Sequence, residues 1–328
     1  MSILAGDVGG TKTNLALYSP VEGGLQLRTL RSFRSSGYPS LEAILEEFLA
    51  GQGKVTLGCI GVSGPVNAGR SRLTNLPWTV DHEAVRRACG ALALYLVNDL
   101  QAMVFSVPFL PAEGVATLQK GEPDPDGNVA VAAAGTGLGE AFLLRSGSRY
   151  LPVASEGGHA DFAPRNEREV ALLSFLRGEH GRVSAERVVS GPGLHRVYRF
   201  LREAEGRQEV PEVETRLVSD DPPKVIASAG VSGLSATCRE AVRFFASLYG
   251  ALTGNLALQY VATGGMVLGG GVPPAILPIL AEGAFIEAFL DKGRFRHFLE
   301  KVPVKVILDE TAALLGAARL AQARGKEI

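Results

Sequence analysis

Two short glycine turns, each set between apolar strand-like runs, constrain this chain more than any other feature. The first is Asp7-Val8-Gly9-Gly10-Thr11-Lys12, entered from Ile3-Leu4-Ala5 and left through the alternating Leu15 and Leu17. The second is Gly135-Thr136-Gly137-Leu138-Gly139, entered from residues 129–134 and left through 141–144. A strand–turn–strand unit that occurs twice in 328 residues predicts a duplicated α/β architecture with two domains. Glycine in such turns lets backbone N–H groups form a concave nest for anionic oxygens, and each turn adds one hydroxyl, Thr11 or Thr136. Neither turn matches the G-x-x-x-x-G-K-[ST] phosphate loop. The second is not a dinucleotide fingerprint either, because a strand rather than a helix follows it. The plain alternatives are a type I′ hairpin for the first and a tight turn for the second.

Composition narrows the class of molecule. Apolar residues make up 46% of the chain and charged ones 20%, which suits a buried core rather than disorder. Lys and Arg number 33 against 34 Asp and Glu, so the net charge of -1 gives no electrostatic reason to expect nucleic acid or a membrane surface as partner. Anionic ligands must then be held by local geometry. Cys59, Cys89 and Cys238 are scattered, odd in number and without CxxC spacing. That argues against a disulfide framework and a zinc site, and fits a reducing cytoplasm. A strand that begins within the first residues leaves no room for a signal peptide, and no charge-free apolar run of about 18 residues predicts a membrane span.

Along the chain, Ser40 caps an expected helix over 41–49, with Leu41, Ile44, Leu45 and Phe48 at helical spacing. A strand over 55–62 ends in Ser63-Gly64-Pro65, and Asp81 opens a short helix through Cys89. The apolar run 92–97 reads as a buried strand that delivers Asn98-Asp99 at its C-terminal end. Pro108, Pro111, Pro123 and Pro125 mark a domain boundary near residue 110. Asn166 and Glu169 predict a helix start, residues 202–232 are polar and Pro-broken, and 235–261 reads as a buried central helix. A last strand over 302–308 precedes a terminal helix from about Thr311.

The chemistry-bearing residues lie at the ends of these runs. Asp7 at a strand end is a candidate Mg²⁺ ligand through water, since Mg²⁺ keeps much of its hydration. Asp99 is placed to accept the proton of an attacking alcohol, with a helix cap as the plain alternative for Asn98-Asp99. Glu156 and His159, separated by glycines, suit hydrogen bonding to vicinal hydroxyls better than a zinc site. Glu186 is a third such group or else a surface acid. Gly269-Gly270-Gly271 would let backbone lie flat against an adenine or ribose, and Trp78 near Asn75 is a candidate neighbour of a sugar or a packing residue.

Together these segments resemble the bacterial glucokinase family, in the actin, Hsp70 and sugar-kinase superfamily. The resemblance rests on Gly6-Asp7-Val8-Gly9-Gly10-Thr11, Asn98-Asp99, Gly135 to Gly139, Glu156-Gly157-Gly158-His159-Ala160-Asp161-Phe162-Ala163-Pro164, and Val183-Ser184-Ala185-Glu186-Arg187-Val188 running into Ser190-Gly191-Pro192-Gly193. No cysteine follows His159 until Cys238, which assigns the zinc-free branch. The resemblance implies a two-domain actin-like ATPase (ribonuclease H-like) fold with a cleft between a small and a large α/β domain. The small domain would span 1–110, completed by the helix 311–328, and the large domain 111–310. It implies phosphoryl transfer from Mg-ATP to the 6-hydroxyl of glucose, with Asp99 as general base. Asn98, Asp99, Glu156, His159 and Glu186 would bind glucose. Asp7, Gly9, Gly10, Thr11 and Lys12, then Gly135, Thr136 and Gly137, would hold phosphate, and Gly269 and Gly270 the adenosine. A homodimer in the cytoplasm, with neither nucleic acid nor membrane as partner, completes the expectation. A kinase for another hexose or an N-acetylhexosamine is the first rival, and a sugar-sensing regulator without activity the second.

Overall fold

The computed structural model describes residues 2–73, 76–147 and 149–325. The chain divides into two compact units, one of Met1–Ala112, Tyr150–Ala154 and Asp309–Ile328, the other of Glu113–Arg149 and Ser155–Leu308.

The first unit is built on a five-stranded sheet. Its strands are β1 (Ile3–Val8), β2 (Lys12–Val21), β3 (Gly24–Arg34), β4 (Leu57–Val62) and, after a short hairpin of β5 (Arg70–Arg72) and β6 (Thr79–Asp81), β7 (Ala93–Asn98). The spatial order is β3-β2-β1-β4-β7. β1 pairs antiparallel with β2 and parallel with β4, which pairs parallel with β7. All six residues of β4 are buried, as expected of a parallel strand covered on both faces. The Leu41–Leu49 helix turns Leu41, Ile44, Leu45 and Phe48 inward, and the Ser40 hydroxyl accepts from the Ala43 N–H at its start. Trp78 is buried in this core beside Leu73 and Val80, so its role is packing. Asn75 lies outside the described residues.

Two helices of this unit bear on the site. Asp99–Ser106 follows β7 directly, and Ala312–Arg324 packs on it. Gly316 makes that packing close. A Cβ built there would overlap the Ala102 carbonyl oxygen and lie 2.8 Å from its carbon.

The second unit contains β8 (Val115–Gln119), β9 (Val129–Ala134), β10 (Leu138–Ser146), β12 (Gly265–Gly269) and β13 (Val304–Ile307), in the order β10-β9-β12-β13-β8; β11 (Arg149–Ser155) precedes the turn at Glu156. β9 pairs antiparallel with β10 and parallel with β12, which pairs parallel with β13. This repeats the antiparallel, parallel, parallel pattern of the first sheet, so the echo between the two glycine turns reflects a shared strand plan. β10 begins at Leu138, earlier than its apolar run indicates, because Leu138 and Gly139 already pair with Ala134 and Ala133. The 24-residue helix Ala236–Gln259, capped by Ser235, runs through the core of this unit.

Residues 202–232 correct the reading of a Pro-broken stretch. They hold two helices, Pro211–Ser219 and Pro222–Ser232, each with proline in its first turn. There the missing N–H has no intrahelical acceptor to lose and the fixed φ already suits the helix. Among the described residues no helix is long and apolar enough to cross a membrane.

Candidate functional site

In the first unit, register collects the site at one end of the sheet. Asp7 lies beside Gly61, which lies beside Val97; one residue further, Val8, Val62 and Asn98 are aligned. The C-terminal ends of three parallel strands therefore present the first glycine turn, Ser63 and Asn98-Asp99 together, where ligands bind in open α/β sheets. With strands about 4.8 Å apart, Asp7 and Asp99 start from positions two strands, or roughly 10 Å, apart.

The turn itself is fastened from both sides. The Gly9 N–H donates to the Lys12 carbonyl at 3.0 Å and the Ser35 N–H to the Thr11 carbonyl at 3.1 Å. The Ser35 hydroxyl donates to the Gly9 carbonyl at 2.8 Å, and the Ser63 N–H to the Val8 carbonyl at 3.0 Å. Neither Gly9 nor Gly10 has a positive φ. A type I′ turn needs one at both central positions, so that alternative is excluded. Thr11 and Lys12 are exposed. Asp7 accepts from the Asn14 amide at 3.4 Å, and Asn14 accepts from the Ser32 hydroxyl at 2.7 Å. Burial pushes the Asp7 carboxyl above its ordinary value, opposed by the Asn14 hydrogen bond and the Lys12 charge.

Asn98, not Asp99, caps the following helix. Its Oδ1 accepts from the Leu100 N–H at 3.0 Å, the Gln101 side chain returns a bond to its backbone N–H at 3.1 Å, and its Nδ2 donates to the Gly64 carbonyl at 3.2 Å. Gly64 adopts φ +132, a conformation that favours glycine. Asp99 is the first helical residue, with Oδ1 accepting from the Leu100 N–H at 2.8 Å. The start of a helix favours negative charge at that position.

In the second unit, four segments are knitted together. After the short turn Gly157–His159, Asp161 forms a bridge with Ser184, the Phe162 N–H donates to the Val183 carbonyl at 3.0 Å, and the Ala185 N–H to the Ala160 carbonyl at 2.8 Å. This places Glu156 and His159 on the same assembly as Glu186. Glu156 and His159 are largely exposed, with Oε2 and Nε2 4.0 Å apart. Glu186 Oε2 accepts from the Leu138 N–H at 3.0 Å, so this acid also anchors the second glycine turn. Gly137 is glycine because a Cβ there would sit 2.6 Å from that same oxygen. The Gly191 N–H holds the Gly135 carbonyl at 2.7 Å. Ser190 caps the next helix and donates to the Glu186 carbonyl at 2.8 Å. Gly270, at φ +83, lies against the end of β9, where a side chain would overlap the Ala134 carbonyl. The adenosine candidates and the second turn thus sit at the ends of neighbouring parallel strands.

Sequence reasoning passed over Ser35, Ser63 and Glu140. The two serines act through partners distant in sequence. Glu140 had a local signal, a carboxyl between the inward-facing Leu138 and Phe142 of an alternating strand.

Asp7 fits a hydrated Mg²⁺. It is a half-buried carboxylate whose raised proton affinity a cation would offset, and Mg²⁺ commonly uses one or two carboxylates with waters and phosphate oxygens. Among the described residues no group of three or more His, Cys, Asp or Glu could hold a metal by side chains alone.

The chain is similar to known proteins along nearly its whole length. A family model described as Glucokinase matches residues 4–324. The glucokinase of Nostoc punctiforme is 38% identical over 333 residues, covering 96% of this chain and 97% of that one. The glucokinase of Yersinia pestis is 38% identical over 327 residues, covering 99% and 98%. The crystal structure of a glucokinase from an Antarctic psychrotroph superposes with a TM-score of 0.85 at 30% identity, covering 98% of this chain and 99% of that one.

Proposed function

Because the chain belongs to the glucokinase family, ATP-dependent hexose kinases of the actin-like ATPase fold, we propose that Asp99 is the general base that takes the proton of the glucose 6-hydroxyl as its oxygen attacks the terminal phosphorus of ATP. One observation carries this reading. The parallel register gathers Asp99 and the first glycine turn at the same strand ends, while Asn98 takes the capping task that would otherwise explain an acid there.

Asn98, Glu156, His159 and Glu186 bind the sugar hydroxyls. An amide, two carboxylates and an imidazole offer both donors and acceptors, which a ring of hydroxyls requires. Gly9, Gly10, Thr11 and Lys12 hold phosphate oxygens from one turn and Gly135, Thr136 and Gly137 from the other, with Gly269 and Gly270 against the adenosine. Phosphoryl transfer depends on positioning and charge stabilisation more than on covalent chemistry, so two fastened turns suit it. Asp7 would hold Mg²⁺ through water, and the ion would neutralise charge on the phosphates. The two structural units act as the enzyme's two domains. Three buried free cysteines support a cytoplasmic location, and a homodimer is the proposed assembly, to be checked by light scattering.

The test is Asp99→Asn, which keeps the side chain's shape. Loss of a general base should lower kcat by about 10²–10⁴-fold, with glucose and ATP still binding in calorimetry. Turnover near wild type would remove Asp99 from the mechanism. A coupled assay over glucose, mannose, fructose and N-acetylglucosamine tests the substrate. A clear preference for another sugar would replace glucose in this reading.

A further inference from the structure

Glu140 occupies an inward position of β10, between Leu138 and Phe142, both members of the apolar core. It is 2% exposed, and its Oε1 has no hydrogen-bond partner. A buried carboxyl is nearly always paired, so one that is not calls for an explanation. The buried Tyr249 hydroxyl lies close enough to interact with its charge, yet donates to the Ala132 carbonyl at 2.7 Å, Ala132 being the cross-strand partner of Glu140.

The other oxygen faces the turn that carries Glu156 and His159. A Cβ built on Gly157 would overlap Glu140 Oε2 and lie 2.9 Å from Cδ, and one on Gly158 would overlap the Leu138 carbonyl. The Gly157 N–H donates to Ser155 Oγ at 3.0 Å. Leu138 and Glu140 are therefore the floor on which this turn rests.

We propose that Glu140 is a positioning residue for the Glu156–His159 turn, and that its protonation state sets how tightly the turn holds a hexose. The proposal rests on the reading of Glu156 and His159 as sugar ligands. The titratable groups around it are Tyr249 on the long helix, Glu156 and His159 on the turn itself, and Glu186, whose carboxylate is fixed on Leu138. Among the described residues, neither lysine nor arginine contributes to the shift of the Glu140 carboxyl. Burial pushes the Glu140 carboxyl up from 4.5 to about 7, which brings its titration near neutrality. The neutral acid packs under Gly157 without a counter-charge. The carboxylate draws water toward an apolar position directly under Gly157, which loosens the turn.

The experiment is glucose binding by calorimetry on the full chain without nucleotide, so that phosphate titration does not enter, together with kcat at saturating sugar. Between about pH 6 and pH 8, wild-type affinity for glucose should weaken roughly five-fold, the lower end of ordinary coupling between two sites, while kcat changes little. Glu140→Gln should hold the low-pH affinity throughout, and Glu140→Met should do the same should the Gln variant fold poorly. A wild-type profile without the step, or a step that persists in both variants, overturns the proposal. Thermal unfolding against pH reads Glu140 ionisation without any sugar. If Glu156→Gln leaves glucose affinity unchanged while the unfolding midpoints of wild type and Glu140→Gln still diverge with pH, the sugar-ligand reading has failed and the proposal falls with it.

Discussion

The contact between the C-terminal helix and the helix that begins at Asp99 makes Gly316→Ala an informative single change. The added Cβ would sit 2.8 Å from the Ala102 carbonyl carbon and 3.0 Å from the Ser106 nitrogen, and would overlap the Ala102 oxygen. Carbon atoms in contact prefer about 3.5–4.0 Å, so the two helices must part by roughly 1 Å. The obstacle is backbone within a buried helix and cannot swing aside. Overpacking of this kind costs about 1–3 kcal/mol, and a gap of 0.5–1 Å forfeits about a quarter to a half of each neighbouring contact. Against this, Ala is better than Gly in a helix interior by about 1 kcal/mol. Because the obstacle is main chain, the steric cost lies toward the upper end of that range and wins, and a net loss of about 1–2 kcal/mol is expected in urea denaturation. The catalytic consequence should be larger than the stability loss, because Asp99 begins the displaced helix. A misplacement near 1 Å can cost about 10²-fold in rate. Measured at a temperature where the variant is fully folded, kcat should fall by that order with glucose affinity less affected. Wild-type stability would refute the packing argument. Lowered stability with unchanged kcat would refute the link from this interface to Asp99.

Three further outcomes are expected. Gly137→Ala should push Glu186 off the Leu138 N–H, so that affinities for sugar and nucleotide fall together in calorimetry, where a simple turn defect would spare the sugar. Asn98→Ala removes a cap and the tie to Gly64, and should cost about 1–2 kcal/mol in chemical denaturation. Glu140 should make stability fall as pH rises: its folded value is raised from 4.5 to about 7, so the folded chain keeps a proton that the unfolded chain releases. The penalty is absent below about pH 4.5, grows through that window and is complete above about pH 7, where Glu140→Gln should be the more stable form by about 3 kcal/mol.

The strand ends were legible because an apolar run followed by a polar pair has few other readings, and Asn98-Asp99 fell where the run ended. What each glycine was for was much less legible. Read from sequence, glycines in a turn mean backbone freedom. Yet Gly9, Gly10, Gly137 and Gly157 have no positive φ. Gly137 and Gly157 are small because Glu186 and Glu140 fill the space a side chain would need. Glu186 is 48 residues from the N–H it holds, and nothing local marks such a pair. The prolines of 211–223 misled for the opposite reason, since proline breaks a helix interior but begins a helix well, and sequence alone did not show which side of the boundary each one occupied.

The two sheets share a strand plan but fasten their glycine turns with different chemistry, and this governs where pH acts. In the first unit the turn is fixed by the Ser35 hydroxyl and the Ser63 N–H, groups that do not titrate. The Asp7 carboxyl at the end of β1 is raised by burial but carries an Asn14 hydrogen bond and the Lys12 charge, both of which favour its charged form. In the second unit the corresponding turn hangs on the Glu186 carboxylate and the sugar-side turn rests on Glu140, which has only burial acting on it. Ionisation of Glu140 therefore acts on the support of the proposed sugar ligands, whereas the bonds that fasten the first phosphate turn involve no titrating group, and a pH effect on glucose affinity follows from that difference.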